Sequence, residues 1–290
     1  MRYSVAIAIA SLLAQASAHG VVTQIQGANG VNMPGLSVQD GTPRDCASPS
    51  CGSEADTSII RDNELGTDEA SALGRTKGGG PVDAAAAISN FMGGSSTNTS
   101  TTKKRGLLGD LLGGDSDSSS SDSASTSDGT KTADGSSESQ VAATAGQGQV
   151  SGLPTADDNG TVTMTFHQVN QDGAGPLSAQ IDSTSGGTDT SAFEDAQVTQ
   201  DVPGIGIGGL SGATTTDFPV KVQMAQGTVC SGTSGGASNV CIVRVQNSAA
   251  AGPFGGSAAF TQSAAGKKRA LEYRLKQRGL HVARGVVGKP

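Results

Sequence analysis

The sequence predicts an all-β protein, an antiparallel β-sandwich with short helices and a long polar insert, on three observations. Short apolar runs alternate with period two, glycine-rich turns separate them, and helical periodicity is almost absent. Thr161-Val162-Thr163-Met164-Thr165-Phe166-His167 alternates most strictly, sending Val162, Met164 and Phe166 to a core and Thr163, Thr165 and His167 to the opposite face. Residues 218–224 and 240–245 supply further strands, and 255–262 ends in another over 258–261. The only core helices expected lie within 59–73 and 82–92. Residues 268–279, with Leu271 and Leu275 at i, i+4 spacing, suit a short basic helix.

Composition narrows the function classes. The chain has 290 residues and 28.5 kDa, with 43 glycines, no tryptophan and 34% apolar residues, too few for one uniformly packed core of that length. A net charge of −7 leaves a basic stretch only in the last two dozen residues, so nucleic acid is not an expected partner. No long apolar run occurs beyond the extreme N-terminus, which excludes a stable membrane span.

Four segments follow. Residues 1–18 read as a signal peptide, with Arg2 as a minimal basic region, an apolar stretch over 5–14, and Ala16-Ser17-Ala18 as a small-residue cleavage site. One sandwich domain takes 19–92 and 150–266. Between its halves, 93–149 is a low-complexity Ser/Asp/Gly-rich insert expected to be disordered, since it cannot bury enough apolar surface to offset chain entropy. Its Leu107, Leu108, Leu111 and Leu112 offer the competing reading of a hydrophobic plug. Residues 267–290 form a basic tail opening on Lys267-Lys268-Arg269, which, like Lys103-Lys104-Arg105, resembles a dibasic site cut in the secretory pathway, so trimming after Arg269 is expected. Secretion, to the extracellular space or the cell wall, permits disulfides. The four cysteines allow three connectivities, of which the local one, Cys46/Cys51 with Cys230/Cys241, is favoured. Asn98-Thr99-Ser100 and Asn159-Gly160-Thr161 are glycosylation sequons.

Several motif matches carry no function. Gly204-Ile205-Gly206-Ile207-Gly208-Gly209 lacks the strand–helix–strand setting and downstream acid of a dinucleotide loop. Gly232-Thr233-Ser234-Gly235-Gly236 lacks the order of a nucleophile elbow, with only His281 following. Asp172, Asp182, Asp189, Glu194, Asp195 and Asp201 show no spacing that selects a carboxylate pair.

The chain has three histidines, His19, His167 and His281. Cleavage after Ala18 makes His19 the mature N-terminus, whose free amine and ring Nδ1 can chelate one metal. The imidazole of His167, leaving its strand away from the core, completes three nitrogens in a flat T that suits Cu(II) better than tetrahedral zinc. Gln246 or Gln262 is a candidate to hydrogen-bond beside the metal, and Phe260 or Phe254 to fill its axial side.

Three runs resemble a known fungal secreted family: His19-Gly20-Val21-Val22, His167-Gln168-Val169-Asn170-Gln171-Asp172-Gly173-Ala174-Gly175-Pro176, and Val243-Arg244-Val245-Gln246-Asn247 with Gly252-Pro253-Phe254-Gly255-Gly256. The chain is similar to the appressorium-associated virulence proteins, the MAS/GAS or Egh-type surface proteins, themselves similar in outline to copper-dependent lytic polysaccharide monooxygenases with a histidine brace. The resemblance spans about 19–92 and 150–265 and omits insert and tail. Leu177 stands where the family more often has an aromatic residue, and Ser257 where it often has a cysteine. The resemblance implies an immunoglobulin- or fibronectin-like sandwich carrying copper on one flat face, and two function classes. One is a monooxygenase-like protein acting on a wall polysaccharide or a host surface polymer during infection. The other is a non-catalytic secreted effector or structural surface protein. A monomer is expected. Trimmed at both ends, the chain would keep neither Tyr3 nor Tyr273, and it has no tryptophan, which weighs against stacking on crystalline chitin or cellulose.

Overall fold

The computed structural model describes residues 19–94, 129–205 and 209–287, with no account of side chains beyond 278. The signal segment, Asn98, the leucine run of the insert and Lys103-Lys104-Arg105 fall outside the described residues, as does part of the Gly204–209 run.

The fold is antiparallel β, as the alternation predicts. In chain order the strands are β1 (Gly20–Gln26), β2 (Asn32–Pro34), β3 (Ser58–Ile59), β4 (Arg75–Thr76), β5 (Gly80–Pro81), β6 (Thr130–Lys131), β7 (Thr155–Ala156), β8 (Thr161–Gln168), β9 (Ser178–Asp182), β10 (Phe193–Gln200), β11 (Thr216–Gln223), β12 (Gly232–Ser234), β13 (Ala237–Gln246) and β14 (Phe254–Gln262). The hydrogen-bonded order is β2-β1-β8-β11-β10-β9-β13-β14-β3-β4-β5. Strand β10 turns the corner, because residues 193–196 pair with β9 while residues 197–200 pair with β11 across a register shift. The ribbon thus folds back so that β14 lies against β1. A Cβ on Gly256 would sit 2.7 Å from the nitrogen of Val22, so only glycine permits that approach. Val22, Met164, Phe166, Phe218, Val220, Val243, Val245 and Phe260 belong to one contiguous buried cluster. Val162, Met164 and Phe166 all point into it, as their period-two spacing requires.

Helix α1 (Ala84–Phe91) falls within the expected 82–92, capped by the Asp83 side chain accepting from the nitrogen of Ala86 at 2.9 Å. Residues 59–73 form no helix. They run from β3 into a chain of turns in which Ile60, Ala70 and Leu73 are buried. Their apolar residues satisfy the core without helical backbone, so the periodicity signal there was misleading. Both disulfides are local, Cys46–Cys51 and Cys230–Cys241. Gly232–Ser234 and Ala237–Gln246 are two strands of one hairpin turning at Gly235-Gly236, which is not a strand-to-helix elbow.

Ordered structure reaches further into the insert than the composition implies. Residues 129–149 carry β6, α2 (Gln140–Ala143) and the start of α3 (Gly148–Ser151). Two anchors hold them. Thr130 and Lys131 extend the sheet beside Asp217 and Thr216. Glu138, buried, accepts from the Arg44 guanidinium at 3.0 and 3.2 Å, and Arg44 also forks onto the buried Asp56. The basic tail is helical, as α4 (Ala264–Val287), a longer helix than the expected 268–279. Its first turn is capped by Ser263 Oγ, which accepts from the nitrogen of Gly266 at 3.0 Å and donates to Asp158 at 2.6 Å.

Candidate metal centre

His19 immediately precedes β1, and its carbonyl accepts from the nitrogen of Val169 at 2.9 Å, continuing the β1–β8 ladder by one step. Val21 stands opposite His167, so His19 and His167 are diagonal neighbours on one face of the sheet. Such neighbours lie about 7–8 Å apart, within reach of two long side chains. That face is the one turned away from the core, as the alternation requires. Both imidazoles are nevertheless buried in the uncleaved chain, at 2% and 1% exposure.

The residues after His167 hold this arrangement. Asn170 Oδ1 accepts from the backbone nitrogen of His19 at 2.7 Å. Gln168, fully buried, donates to the carbonyls of Asn170 and Ala213 and to the Ser211 hydroxyl, tying the strand end to the neighbouring loop. Gly173 lies over the carbonyl of His19, and a Cβ there would meet that oxygen at 2.0 Å. The run from His167 to Gly173 thus serves to seat the first residue of β1.

Each imidazole has a carboxylate. His167 Nδ1 lies 2.7 Å from Asp217 Oδ1, and Asp217 is its register partner on β11. His167 Nε2 is buried with no hydrogen-bond partner. His19 Nδ1 lies 3.0 Å from Glu54 Oε1, while Glu54 Oε2 is 3.1 Å from Lys77 Nζ. Glu54 is itself buried and lies 3.4 Å from Asn170 Nδ2.

An aromatic ring does flank His19, and it belongs to Phe254, with ring centroids 4.3 Å apart. Phe260 is not brought there. It sits six residues along the same strand, about 20 Å at strand rise, inside the main core opposite Cys241. Gln246 is at the correct end of the sheet, paired with Gly255 beside Phe254, and its Oε1 is buried without a hydrogen-bond partner. Gln262 is committed elsewhere, accepting from Cys230 and donating to Thr228. The turn preceding Phe254 is clamped by Arg61, which donates to the carbonyls of Ala251 and Gly252 at 2.8 and 3.1 Å.

The donors fit a nitrogen-rich metal site on one count. A buried Nε2 with no partner, on a ring whose other nitrogen is fixed by a carboxylate, is the arrangement of a metal-ligating histidine. In the 290-residue chain the His19 nitrogen belongs to the Ala18–His19 peptide, so an amine ligand requires cleavage there. Among the described residues no group of three or more His, Cys, Asp or Glu side chains could hold a metal ion. Sequence reasoning missed Glu54, Asp217 and the constraint on His19 from Asn170. Glu54 lies in a loop without periodicity, and the Asp217 pairing depends on a register closed across 50 residues.

Residues 17–255 match the family described as Egh16-like virulence factor. The chain is 56% identical over 290 residues to appressoria-specific virulence factor GAS2 of Pyricularia oryzae strain 70-15, covering 96% of this chain and 95% of that protein. It is 38% identical over 135 residues to appressoria-specific virulence factor GAS1 of the same strain, covering 45% of this chain and 52% of that one. No solved structure matches the chain.

Proposed function

Since the chain belongs to the Egh16-like virulence factor family, we propose that it is a secreted fungal protein of infection whose mature form binds one copper ion through the amine and ring of His19 and the ring of His167. The observation that carries this reading is the buried, partnerless Nε2 of His167, set on the same sheet face as His19 with its Nδ1 anchored by Asp217. His19 Nδ1 would exchange Glu54 for the metal, and Asn170 would accept from the new amine as it now accepts from the amide. Copper held there would supply one-electron redox chemistry. Phe254 would shield one side of the site, and Gln246, whose Oε1 lacks a partner, is the nearer of the two glutamines in the fold to act beside it.

One observation favours the non-catalytic class over monooxygenase action on a wall polysaccharide or host polymer. Both imidazoles are at most 2% exposed in the uncleaved chain, which gives a polymer little access to them there. Calorimetry on secreted protein beginning at His19 tests the site. A single Cu(II) is expected, with affinity lost on His167→Ala and on adding one residue before His19. Unchanged affinity in both variants overturns it. Oxidised oligosaccharides formed with a reductant would overturn the non-catalytic preference while leaving the site intact.

A further inference from the structure

Away from the histidines, α4 and the ends of β8, β11 and β14 enclose a groove of about 400 Å³. Asn159, Asp157, Asp158, Gln226, Arg269 and Tyr273 are among its lining residues. Asn159 opens Asn159-Gly160-Thr161, the one such acceptor triplet among the described residues, and it is exposed at a turn tip. The turn is held fast. Gly160 donates to the carbonyl of Asp157 at 2.9 Å, the nitrogen of Thr161 donates to Asp157 Oδ1 at 2.7 Å, and Gln223 Nε2 donates to the carbonyl of Asn159 at 2.8 Å.

The orientation of the Asn159 amide is set chemically. Arg269 Nη1 stands 3.0 Å from Asn159 Oδ1. Guanidinium only donates, so the carbonyl oxygen must face Arg269 and the amide nitrogen must point elsewhere. N-linked modification uses that nitrogen and leaves the oxygen free to accept, so the modified side chain keeps its bond to Arg269.

We propose that Asn159 is an N-glycosylation site whose first sugars lie in this groove, with the Tyr273 ring, in the chain not yet trimmed after Arg269, as their apolar wall and Gln226 and Asp158 on their hydroxyls. The inference rests on passage through the secretory pathway. The amide nitrogen loses a proton and bonds to C1 of the reducing-end sugar as the C1–oxygen bond to a lipid pyrophosphate donor breaks, releasing the lipid pyrophosphate, with no redox change. Tyr273 is 37% exposed, so part of its ring is available to a sugar face.

The test is mass analysis of the untrimmed chain made in a secreting eukaryotic host that lacks the dibasic-specific protease, before and after enzymatic removal of N-glycans. A glycan at Asn159 is expected, lost in Asn159→Gln and in Thr161→Val alike. Tyr273→Ala should keep it but speed its release from the folded protein about threefold or more, the loss of one ring contact. The same chain behind a foreign leader fused before His19 separates this inference from the secretion reading. An unmodified Asn159 in that protein overturns the site, and equal release rates with and without the Tyr273 ring overturn its seat in the groove. Failure of residues 1–18 alone to deliver the chain counts only against secretion by its own leader.

Discussion

His167 and Asp217 face each other in register across β8 and β11, with Nδ1 and Oδ1 2.7 Å apart. A carboxylate at that distance fixes the ring's orientation and its tautomer, placing the lone pair of a neutral imidazole on Nε2. The Asp217 side chain is 41% exposed and outside the core, so it can be changed without emptying a packed site. Asp217→Asn should therefore leave the fold intact and lower copper affinity about 10–100-fold, the usual cost of losing an outer-shell partner. Calorimetry of the mature protein checks it, and an unchanged affinity would mean that Asp217 plays no part in positioning the ligand.

A second prediction concerns pH. Hydrogen bonds from Arg75, at 2.8 Å, and Arg61, at 2.9 Å, hold the Glu64 carboxyl below its ordinary value of 4.5. A folded value below the unfolded one contributes stability that is present above about pH 4.5 and disappears as pH falls through the depressed value. Glu64→Gln should cost about 1 kcal/mol at pH 7, given the partly exposed arginines. That gap should shrink as pH falls below 4.5 and through the depressed value, measured as urea midpoints. Because Arg61 also clamps the turn before Phe254, the variant should loosen the ring beside His19. A gap constant across that range would sink the argument.

How much of this was legible in the sequence depends on the range of the interaction. Period-two alternation located β8 and the central parts of β11, β13 and β14, and the face on which His167 lies, because those follow from local backbone geometry. The expectation for His19 rests on the cleavage pattern before it. Strands β9 and β10 were not legible. In β10 five of eight residues are polar and only Phe193 is buried, so no apolar stripe marks it. Phe254 and Phe260 share a strand and lie on opposite ends of it, and alternation does not say which end meets the histidines. Glu138 could not be separated from the acidic insert by composition, since its role depends on Arg44, 94 residues away, and on the Asp56 that Arg44 also holds.

The tail gives a kinetic prediction. Lys267-Lys268-Arg269 lies within the first turns of α4, and a processing protease needs that backbone unwound. Ser263→Ala removes the cap on Gly266 and the bond to Asp158, for a loss of about 1 kcal/mol. If cleavage passes through the unwound helix, the rate of cutting after Arg269 should rise about fivefold. Intact mass against time of incubation with a dibasic-specific protease measures it. Equal rates would show that the site is cut without unwinding the helix, or is not limited by it.

The insert divides into a part the fold uses and a part whose removal can be tested. Replacing residues 95–128 with a short Gly-Ser linker removes neither histidine and no cysteine. Loop-closure entropy changes by about 0.6 kcal/mol per doubling, so a linker a quarter as long should shift stability by only about 1 kcal/mol. Copper affinity should be unchanged, since Glu54, Asn170 and Asp217 also lie outside the deletion. Extending the deletion through residue 149 is a different experiment. It takes away Glu138, leaving the Arg44 guanidinium buried with Asp56 alone, where burial works against its charge and the lost hydrogen bonds and attraction of Glu138 had helped to offset it. It also strips β6 from the edge of β11, beside Asp217. The longer deletion should therefore cost at least about 3 kcal/mol and weaken the metal site through Asp217, while the shorter one should do neither. Thermal melts and copper titrations of the two variants side by side decide the matter. A large loss from the shorter deletion would show instead that Leu107, Leu108, Leu111 and Leu112 dock on the body as an apolar plug.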